Sequence, residues 1–312
     1  MNRYQPIDAF RGLAILGMVF FTVTLRLSKD LPDVIRHNVW GSVHLGDFIL
    51  PMFLFASGLS LAFFLQKMEK KKKNVILKKT FLRFGKLALI GIFLSFFSAY
   101  GFLEMDEVML SSILFITCVA LSKINWKIII VIIFIINFSY IILIHNDLTN
   151  IFIGHYLGGY PAAIYYLPVM LTGLLIGKGI ISEQLWSGRN QVVFWTTFVF
   201  FLTFLIFIPL NKMTATPSFI MLSILFSFAI FAIVEQIVNN GFNFKRLEYI
   251  GKKPIRYWLI MYFIFIIPLW FYIEFFNNNI SFQWYIGLLF SILLIVTFYI
   301  ISITFDHFTI SD

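Results

Sequence analysis

The chain has 312 residues, of which 60% are hydrophobic and only 12% are charged, and its mean hydropathy is +0.90. This composition excludes a soluble globule, which needs more polar surface, and indicates an integral membrane protein. The net charge of +9 does not indicate nucleic-acid binding. Most of it lies in one cluster, residues 67–86, which is typical of a topology signal in contact with anionic lipid headgroups.

Apolar runs of about twenty residues recur along the chain, which is the length that an α-helix needs to cross a bilayer. They are not the alternating ten-residue segments of a β-barrel. The predicted fold class is therefore all-α, a polytopic transmembrane helix bundle with one domain over 1–312. The predicted spans are 9–27, 46–66, 81–100, 107–122, 127–145, 162–181, 191–210, 217–238, 254–276 and 282–305.

The distribution of Lys and Arg predicts the orientation of these spans. With the N-terminus inside, the cytoplasmic segments carry the 67–86 cluster and a second basic stretch at 245–256. The opposite loops carry only Arg26, Lys29, Arg36 and Lys212. We therefore predict ten spans with both termini in the cytoplasm, which leaves the loop before the second span outside. The first span is not expected to be a cleavable signal, because it is long and contains charged residues.

Two features of the spans predict packing rather than chemistry. Cys118 lies within an apolar run, where it is expected to fill the core, and a lone cysteine offers neither an internal disulfide nor a Cys-based metal site. The stretch GLLIG at 173–177 has two glycines four residues apart, a spacing that lets two transmembrane helices approach closely.

A polar stretch leads directly into the second span, in RHNVWGSVHLGDFILPMFLFASG (36–58). Asp47 lies at or just inside the outer end of that span, and ionisable residues in a membrane are functional candidates. His44 lies three residues earlier on the same helical face, and His37 joins them if the helix extends that far. Pro51 cannot donate to the carbonyl of Asp47, which predicts a kink there.

A histidine oriented by a carboxylate can take a proton from an amine or hydroxyl, or attack an acyl group itself. His37 and Asp47 could form such a pair. Equally, His37 could be a hydrated loop residue and Asp47 a structural carboxylate, and the spacing does not decide between the two. A metal site of His37, His44 and Asp47 is less favoured, because nothing in the spacing demands it.

On the cytoplasmic side, Asp8 and Arg11 form an i,i+3 pair at the start of the first span, and Arg83 and Lys86 begin the third. One interpretation is an ion pair at a helix end together with anchors that reach for the headgroups. The other is a site for a phosphorylated cofactor, for which guanidinium groups are well suited. Composition alone favours the ion pair and headgroup anchors over a cofactor site.

Two stretches carry a longer pattern, RYQPIDAFRGLAILGMVFF (3–21) and HNVWGSVHLGDFILPMFLFASGLSLAF (37–63). They contain D-x-F-R-G, H-x-x-W, an Asp ten residues after that His, and P-x-F-x-F-x-x-G. In this order the motifs resemble the heparan-α-glucosaminide N-acetyltransferase family and its prokaryotic relatives among the transmembrane acyltransferases. Weaker similarity continues in LRFGKLALIGIFL (82–94), PLNKMTATPSF (209–219) and IGKKPIRYWL (250–259).

The resemblance implies transfer of an acetyl group from cytoplasmic acetyl-CoA to an acceptor across the membrane, typically the amine of a terminal glucosamine or a related glycan. The family's large luminal N-terminal region has no counterpart here, so we expect the prokaryotic type, in a cell membrane. The catalytic residues would be His37 and Asp47, and no metal is expected. The expected donor contacts are Asp8, Arg11, Arg83 and Lys86. The expected acceptor contacts are Trp40, Asn211 and Lys212.

Several alternatives stay open. His37 could act as a general base in direct transfer, or could accept the acetyl group itself. The acceptor could be a hydroxyl of a surface polysaccharide or lipid, as in acyltransferase-3 enzymes. A proton-coupled secondary transporter, with His37 and Asp47 as the coupling pair, is disfavoured by the few ionisable groups in mid-membrane and by the lack of paired broken helices. The oligomeric state is open and includes a homodimer.

Overall fold

The computed structural model describes residues 4–32, 35, 43–68, 73–95, 107–145, 163–182, 185–212, 214–276 and 282–309. They belong to two compact units. The central unit is built mainly from Leu54–Ala229. The terminal unit combines the segments Asn2–Asn38, His44–Phe53 and Ile230–Asp312.

Helices make up almost all of the described residues. In chain order they are α1 Gln5–Leu27, α2 Ile49–Met68, α3 Lys73–Ser95, α4 Glu107–Leu121, α5 Trp126–His145, α6 Ala163–Ser182, α7 Gly188–Phe207, α8 Pro217–Asn239, α9 Lys245–Lys252, α10 Pro254–Met261, α11 Ile267–Phe276 and α12 Trp284–Thr309. A 3₁₀ turn, Leu45–Phe48, precedes α2, and a π turn, Tyr262–Ile266, joins α10 to α11. Two short strands, β1 Ser28–Lys29 and β2 Phe282–Gln283, pair in parallel.

The all-α polytopic class is confirmed. Within the described ranges, seven helices are long and apolar enough to cross a membrane. Three shorter apolar helices, Phe84–Leu94, Val108–Leu121 and Trp126–Ile142, coincide with the predicted third, fourth and fifth spans. The count of ten spans and the cytoplasmic position of both termini stay predictions, as does the single domain.

Two helices differ from the predicted spans. Helix α3 begins at Lys73, eight residues before the expected start at 81, because lysines are good helix formers and allow a helix to continue past its apolar run. Helix α9 was not predicted at all. It is only eight residues long and amphipathic, with Lys245 exposed and Ile250 buried, so a search for twenty-residue apolar runs does not detect it.

In the central unit, α2 and α6 cross with their backbones in contact. A Cβ atom added at Gly58 would lie 2.1 Å from the carbonyl oxygen of Met170, and one at Gly173 would lie 2.3 Å from that of Phe55. A Cβ at Gly177 would lie 2.9 Å from the carbonyl oxygen of Leu59. The close helix packing predicted from the two glycines of 173–177 is therefore confirmed.

In the terminal unit, α1 and α9 meet in the same way. A Cβ atom at Gly12 would lie 2.1 Å from the carbonyl oxygen of Leu247, and one at Gly251 would lie 1.8 Å from that of Asp8. Further along α1, the buried hydroxyls of Thr24 and Ser291 are hydrogen-bonded at 2.6 Å and link α1 to α12. The contacts at Gly12 and Gly251 hold the N-terminal turns of α1 against α9.

Replacing Gly58 by Ala should lower the free energy of unfolding by about 1–3 kcal/mol, because the new Cβ overlaps backbone atoms that cannot turn away. Thermal unfolding in detergent measures the change. Gly85→Ala is the matched control, since a Cβ at that position in α3 meets nothing within 4 Å. It should be neutral or stabilising, because Ala is the better helix former. Equal midpoints for Gly58→Ala and the wild type would contradict the close crossing.

Candidate functional site

Asp47 is completely buried at the start of the second span, in the 3₁₀ turn that leads into α2. Its Oδ2 accepts a hydrogen bond from the backbone N–H of His44 at 2.8 Å, and its own N–H donates to the carbonyl oxygen of His44 at 3.0 Å. A negative charge is stabilised at a helix N-terminus by the backbone N–H groups and the helix dipole. This position explains how the carboxylate is tolerated without exposure to solvent.

The structure corrects one expectation about the residues around Asp47. His44 precedes the helical turns, with φ −120° and ψ 168°, so His44 and Asp47 do not share a helical face. Pro51 lies in the first turn of α2, shortly after the 3₁₀ turn Leu45–Phe48. The kink expected at Pro51 stays a prediction.

His37 and Trp40 lie outside the described residues. The catalytic role of His37, its pairing with Asp47 and the contact of Trp40 with the acceptor stay predictions. Asp47 is thus the member of the expected catalytic pair whose surroundings the structure describes.

A buried polar network surrounds the N-terminal end of α1 in the terminal unit. Asp8 is 3% exposed and accepts a hydrogen bond from Nη2 of Arg11 at 2.6 Å. Nε of Arg11 donates to the carbonyl oxygen of Gly251, in the last turn of α9. The hydroxyl of Tyr4 donates to Oε1 of Glu235 in α8. The bonds of Arg11 therefore join α1 to α9, and the bond of Tyr4 joins the residue before α1 to α8.

Burial governs the titration of the groups at the edge of this network. The pKa of Glu248 in α9 is raised, mainly because the carboxyl group is buried. The positive charge of Lys252, whose Nζ lies 3.9 Å from Oε2 of Glu248, partly offsets this effect, and the charge of Asp8 adds to it. Burial also raises the pKa of the Tyr4 hydroxyl, and its hydrogen bond to Glu235 raises it further. Tyr4 therefore remains a protonated donor at any physiological pH.

The residues expected to bind acetyl-CoA, the acetyl donor, differ in their surroundings. The guanidinium of Arg11 bonds within the protein, to Asp8 and to Gly251, and the side chain is only 11% exposed. This geometry is that of an ion pair at a helix end. Lys86 is exposed on α3, while the side chain of Arg83 lies outside the described part. Donor binding by any of these residues stays a prediction.

The sequence analysis did not select Glu235, the acidic member of the Tyr4–Glu235 pair, although its position within a predicted span marks it as a functional candidate. Glu235 lies inside the predicted span 217–238 and is buried. The rule that ionisable residues within membrane spans are functional candidates, which selected Asp47, applies equally to it. Its partner Tyr4 could not be found in this way, because the two residues are 231 positions apart.

The expected acceptor contacts Asn211 and Lys212 lie in the turn between α7 and α8 in the central unit. The backbone N–H of Asn211 donates to Oγ1 of Thr216 at 3.0 Å, and Oδ1 of Asn211 accepts from the N–H of Thr214 at 3.3 Å. Ala215 has φ +49°, a conformation that costs energy for any residue except glycine. Lys212 is 5% exposed. The turn is thus tightly held, and contact with an acceptor stays a prediction.

A comparison with models of protein families shows the family to which the chain belongs. The family described as heparan-alpha-glucosaminide N-acetyltransferase, catalytic, matches residues 3–205. The chain belongs to this family. A comparison with curated proteins finds no match.

Membership in the heparan-α-glucosaminide N-acetyltransferase family makes the protein an acyltransferase of the membrane. The matched region contains Asp8, Arg11, His37 and Asp47, together with most of the central unit. It ends at residue 205, before the turn that holds Asn211. The expected acceptor contacts in that turn therefore rest on the sequence resemblance alone. No group of three or more His, Cys, Asp or Glu side chains that could hold a metal ion occurs in the described ranges.

Replacing Asp47 by Ala should lower the free energy of unfolding by about 0.5–2 kcal/mol, because the N–H of His44 loses its acceptor. Asp47→Asn keeps an acceptor oxygen of the same reach and should retain most of that stability. Thermal unfolding of both variants in the same detergent measures the difference. If Asp47→Asn were as unstable as Asp47→Ala, the negative charge rather than the hydrogen bond would be what stabilises the start of α2.

Proposed function

We propose that this protein transfers an acetyl group from acetyl-CoA, bound from the cytoplasmic side, to the amine of an amino sugar or a related glycan on the outer side of the membrane. The observation that supports this most strongly is the completely buried carboxylate of Asp47 at the start of α2. It lies ten residues after His37, in the spacing that the family pattern has between its histidine and its aspartate. The match over residues 3–205 supports the acyltransferase chemistry.

The proposed reaction uses His37 as the base and Asp47 as its partner. The acceptor nitrogen attacks the thioester carbonyl carbon, a new C–N bond forms, and the C–S bond breaks. Neutral His37 takes the proton lost by the amine and passes it to the departing sulfur, so that free CoA leaves as the thiol. The carboxylate of Asp47 accepts the other imidazole N–H, which sets the tautomer and stabilises the imidazolium. Transient acetylation of His37 before transfer is the alternative route.

The distribution of charge supports the proposed direction of transfer. The positive-inside bias predicts that His37 lies outside and that Arg83 and Lys86 lie at the cytoplasmic end of the predicted third span, 81–100. The exposed ammonium of Lys86 suits a phosphate, as does the guanidinium of Arg83. The acyl arm of acetyl-CoA would then extend between helices from the cytoplasmic surface towards the outer loop.

Transfer of labelled acetyl groups from acetyl-CoA to external amino sugars, in proteoliposomes, tests the proposal. His37→Ala should reduce the rate by about 10²- to 10⁴-fold, the usual contribution of a general base. His44→Ala is the control and should keep most of the activity. Full activity in His37→Ala would remove His37 from the mechanism. Uptake of substrate by the wild type without any acetylated product would favour the transporter instead.

The nature of the acceptor is tested by offering amines and hydroxyls side by side. An amino sugar should be acetylated on nitrogen, whereas its N-acetylated analogue, which keeps the same hydroxyls, should accept no label. Label on the hydroxyls of both compounds would indicate an O-acyltransferase of surface polysaccharide or lipid. The result shows whether the enzyme acetylates amines or hydroxyls, even when the natural acceptor is not known.

Arg83→Gln should weaken binding of acetyl-CoA by about tenfold or more, because a hydrogen bond between charged groups contributes more than a neutral one. Titration with acetyl-CoA in detergent measures this affinity, and a parallel titration with the acceptor supplies the comparison. The acceptor affinity should not change. Unchanged acetyl-CoA affinity would make Arg83 a membrane anchor.

A further inference from the structure

Helix α9 lies between two helices that are long and apolar enough to cross a membrane. The first of these ends at Asn239 and the second begins at Pro254, so residues 240–253 form the whole connection between them. The helical part of the connection, Lys245–Lys252, is only about 12 Å long. Because both ends of this short connection join membrane spans, α9 must lie at the membrane surface.

One face of α9 is fixed to the protein. Ile250 is buried, and the close approaches of Gly251 to Asp8 and of Leu247 to Gly12 hold the helix against α1. A helix held in this way cannot rotate to bring its other face into the protein. The side chains on that other face therefore meet whatever surrounds the end of the bundle.

The exposed side of α9 is cationic. Lys245 and Lys252 lie seven residues apart, which puts them on the same side of the helix, and both are exposed. Five Lys and Arg residues occur in the stretch 240–256, against Glu248 as its one acid. Glu248 is buried, and its Oε2 lies 3.9 Å from Nζ of Lys252. The surface of the stretch is therefore strongly positive.

A pair of phenylalanines precedes these lysines in the turn that leads into α9. Phe242 is 61% exposed, and the centroid of its ring lies 4.8 Å from that of Phe244. Aromatic side chains beside cations are typical of helices that lie in the interface of a membrane. There the rings enter the boundary between headgroups and acyl chains, while the cations stay with the headgroups.

Local hydrogen bonds hold this turn in one conformation. The N–H of Gly241 donates to the carbonyl oxygen of Val238 at 3.0 Å. The N–H of Phe242 donates to that of Ile237 at 3.2 Å, and the two bonds together form the Schellman ending of α8. Gly241 has φ +90°, which glycine adopts without strain. Oδ1 of Asn243 then accepts the first backbone N–H of α9 at 3.1 Å. The exposure of Phe242 is therefore built into the backbone of the turn.

We propose that the exposed side of α9 binds anionic phospholipids, with Lys245 and Lys252 on their phosphate groups and Phe242 at the upper ends of their acyl chains. Charge complementarity supports this occupant, because lysines near a membrane surface are attracted to anionic headgroups. A soluble phosphate compound would satisfy the lysines equally well, but it offers nothing to the ring of Phe242. The inference is independent of the proposed acetyl transfer.

The predicted topology agrees with this occupant. The positive-inside bias predicts that the connection 240–253 lies on the cytoplasmic side, and the cytoplasmic leaflet is the one that carries negative surface potential. Lipid bound there would contact α9, which is itself packed against the first turns of α1. The composition of the membrane would then act on the terminal unit through one short helix.

Fluorescence quenching at position 242 tests where the turn lies. In Phe242→Cys the new thiol is labelled with a small apolar fluorophore, whereas the natural Cys118 is completely buried and should not react. The labelled protein is placed in vesicles of phosphatidylglycerol and phosphatidylcholine. Nitroxide groups on the upper acyl chains should quench the label more strongly than iodide in the water does. The same label on Lys123→Cys, in the exposed turn between α4 and α5, should be quenched more by iodide than the label at position 242.

The preference for anionic lipid is measured in the labelled Phe242→Cys protein, in vesicles of phosphatidylcholine. A trace of nitroxide lipid is added with either a phosphoglycerol or a phosphocholine headgroup, and the ratio of the two quenching efficiencies reports which lipid is enriched beside the turn. The phosphoglycerol lipid should quench more strongly. Lys245→Gln/Lys252→Gln should lower its enrichment about fivefold or more, because each lysine near an anionic surface contributes about that factor.

A matched variant controls for the loss of charge. Lys123→Gln/Lys127→Gln removes two exposed lysines from the connection between α4 and α5, and it should leave the ratio at position 242 unchanged. An equal fall in both double variants would show an effect of net charge alone and would overturn the inference.

The remaining outcomes separate the other occupants. Stronger quenching by iodide than by lipid would put the turn in water, and quenching by neither would indicate a covering protein surface. Loss of the anionic preference on addition of acetyl-CoA would assign the lysines to a soluble phosphate ligand. Each of these results would overturn the inference. None of them requires acetyl transfer, so the proposed function stands or fails separately.

Discussion

The hydrocarbon core of a bilayer offers no water, so every polar group placed there must find its partner inside the protein. This constraint accounts for most of the polar arrangement in this chain. Asp47 accepts the backbone N–H of His44 at the start of a helix, and Asp8 pairs with Arg11. Hydroxyls such as those of Thr172 and Ser227 return to their own backbone.

Close contact between backbones makes several of these pairs possible. Lipid is as apolar as the side chains, so helices in a membrane associate through tight packing and hydrogen bonds rather than through the hydrophobic effect. Gly12 and Gly251 bring α1 against α9, and only at that separation can Arg11 reach the carbonyl oxygen of Gly251 while it also pairs with Asp8. Gly58 and Gly173 do the same for α2 and α6.

One carboxylate can serve both the fold and the chemistry of an acyltransferase. Asp47 stabilises the start of α2 by accepting the N–H of His44. In the mechanism proposed above, the same carboxylate orients the imidazole of His37. The proposal therefore assigns the stability of a membrane helix and the orientation of a catalytic group to the same side chain.

The sequence alone determined the class of this protein, because the length and apolarity of a membrane span are local properties of the chain. It also determined the family, through motifs in the first sixty or so residues, and it selected Asp47 as an ionisable group at the end of a span. Helix α9 could not be predicted from the sequence, because its eight amphipathic residues do not form an apolar run of membrane-spanning length.

Only the tertiary structure decided which polar groups are paired. Tyr4 and Glu235 are 231 positions apart, and no local pattern connects them. Ser223 and Ser227 are indistinguishable in sequence, yet one hydroxyl is satisfied and the other is not within the described part of the chain. The physical reason is that pairing in a membrane depends on which helices pack together and on how each side chain is turned, and both are properties of the folded bundle.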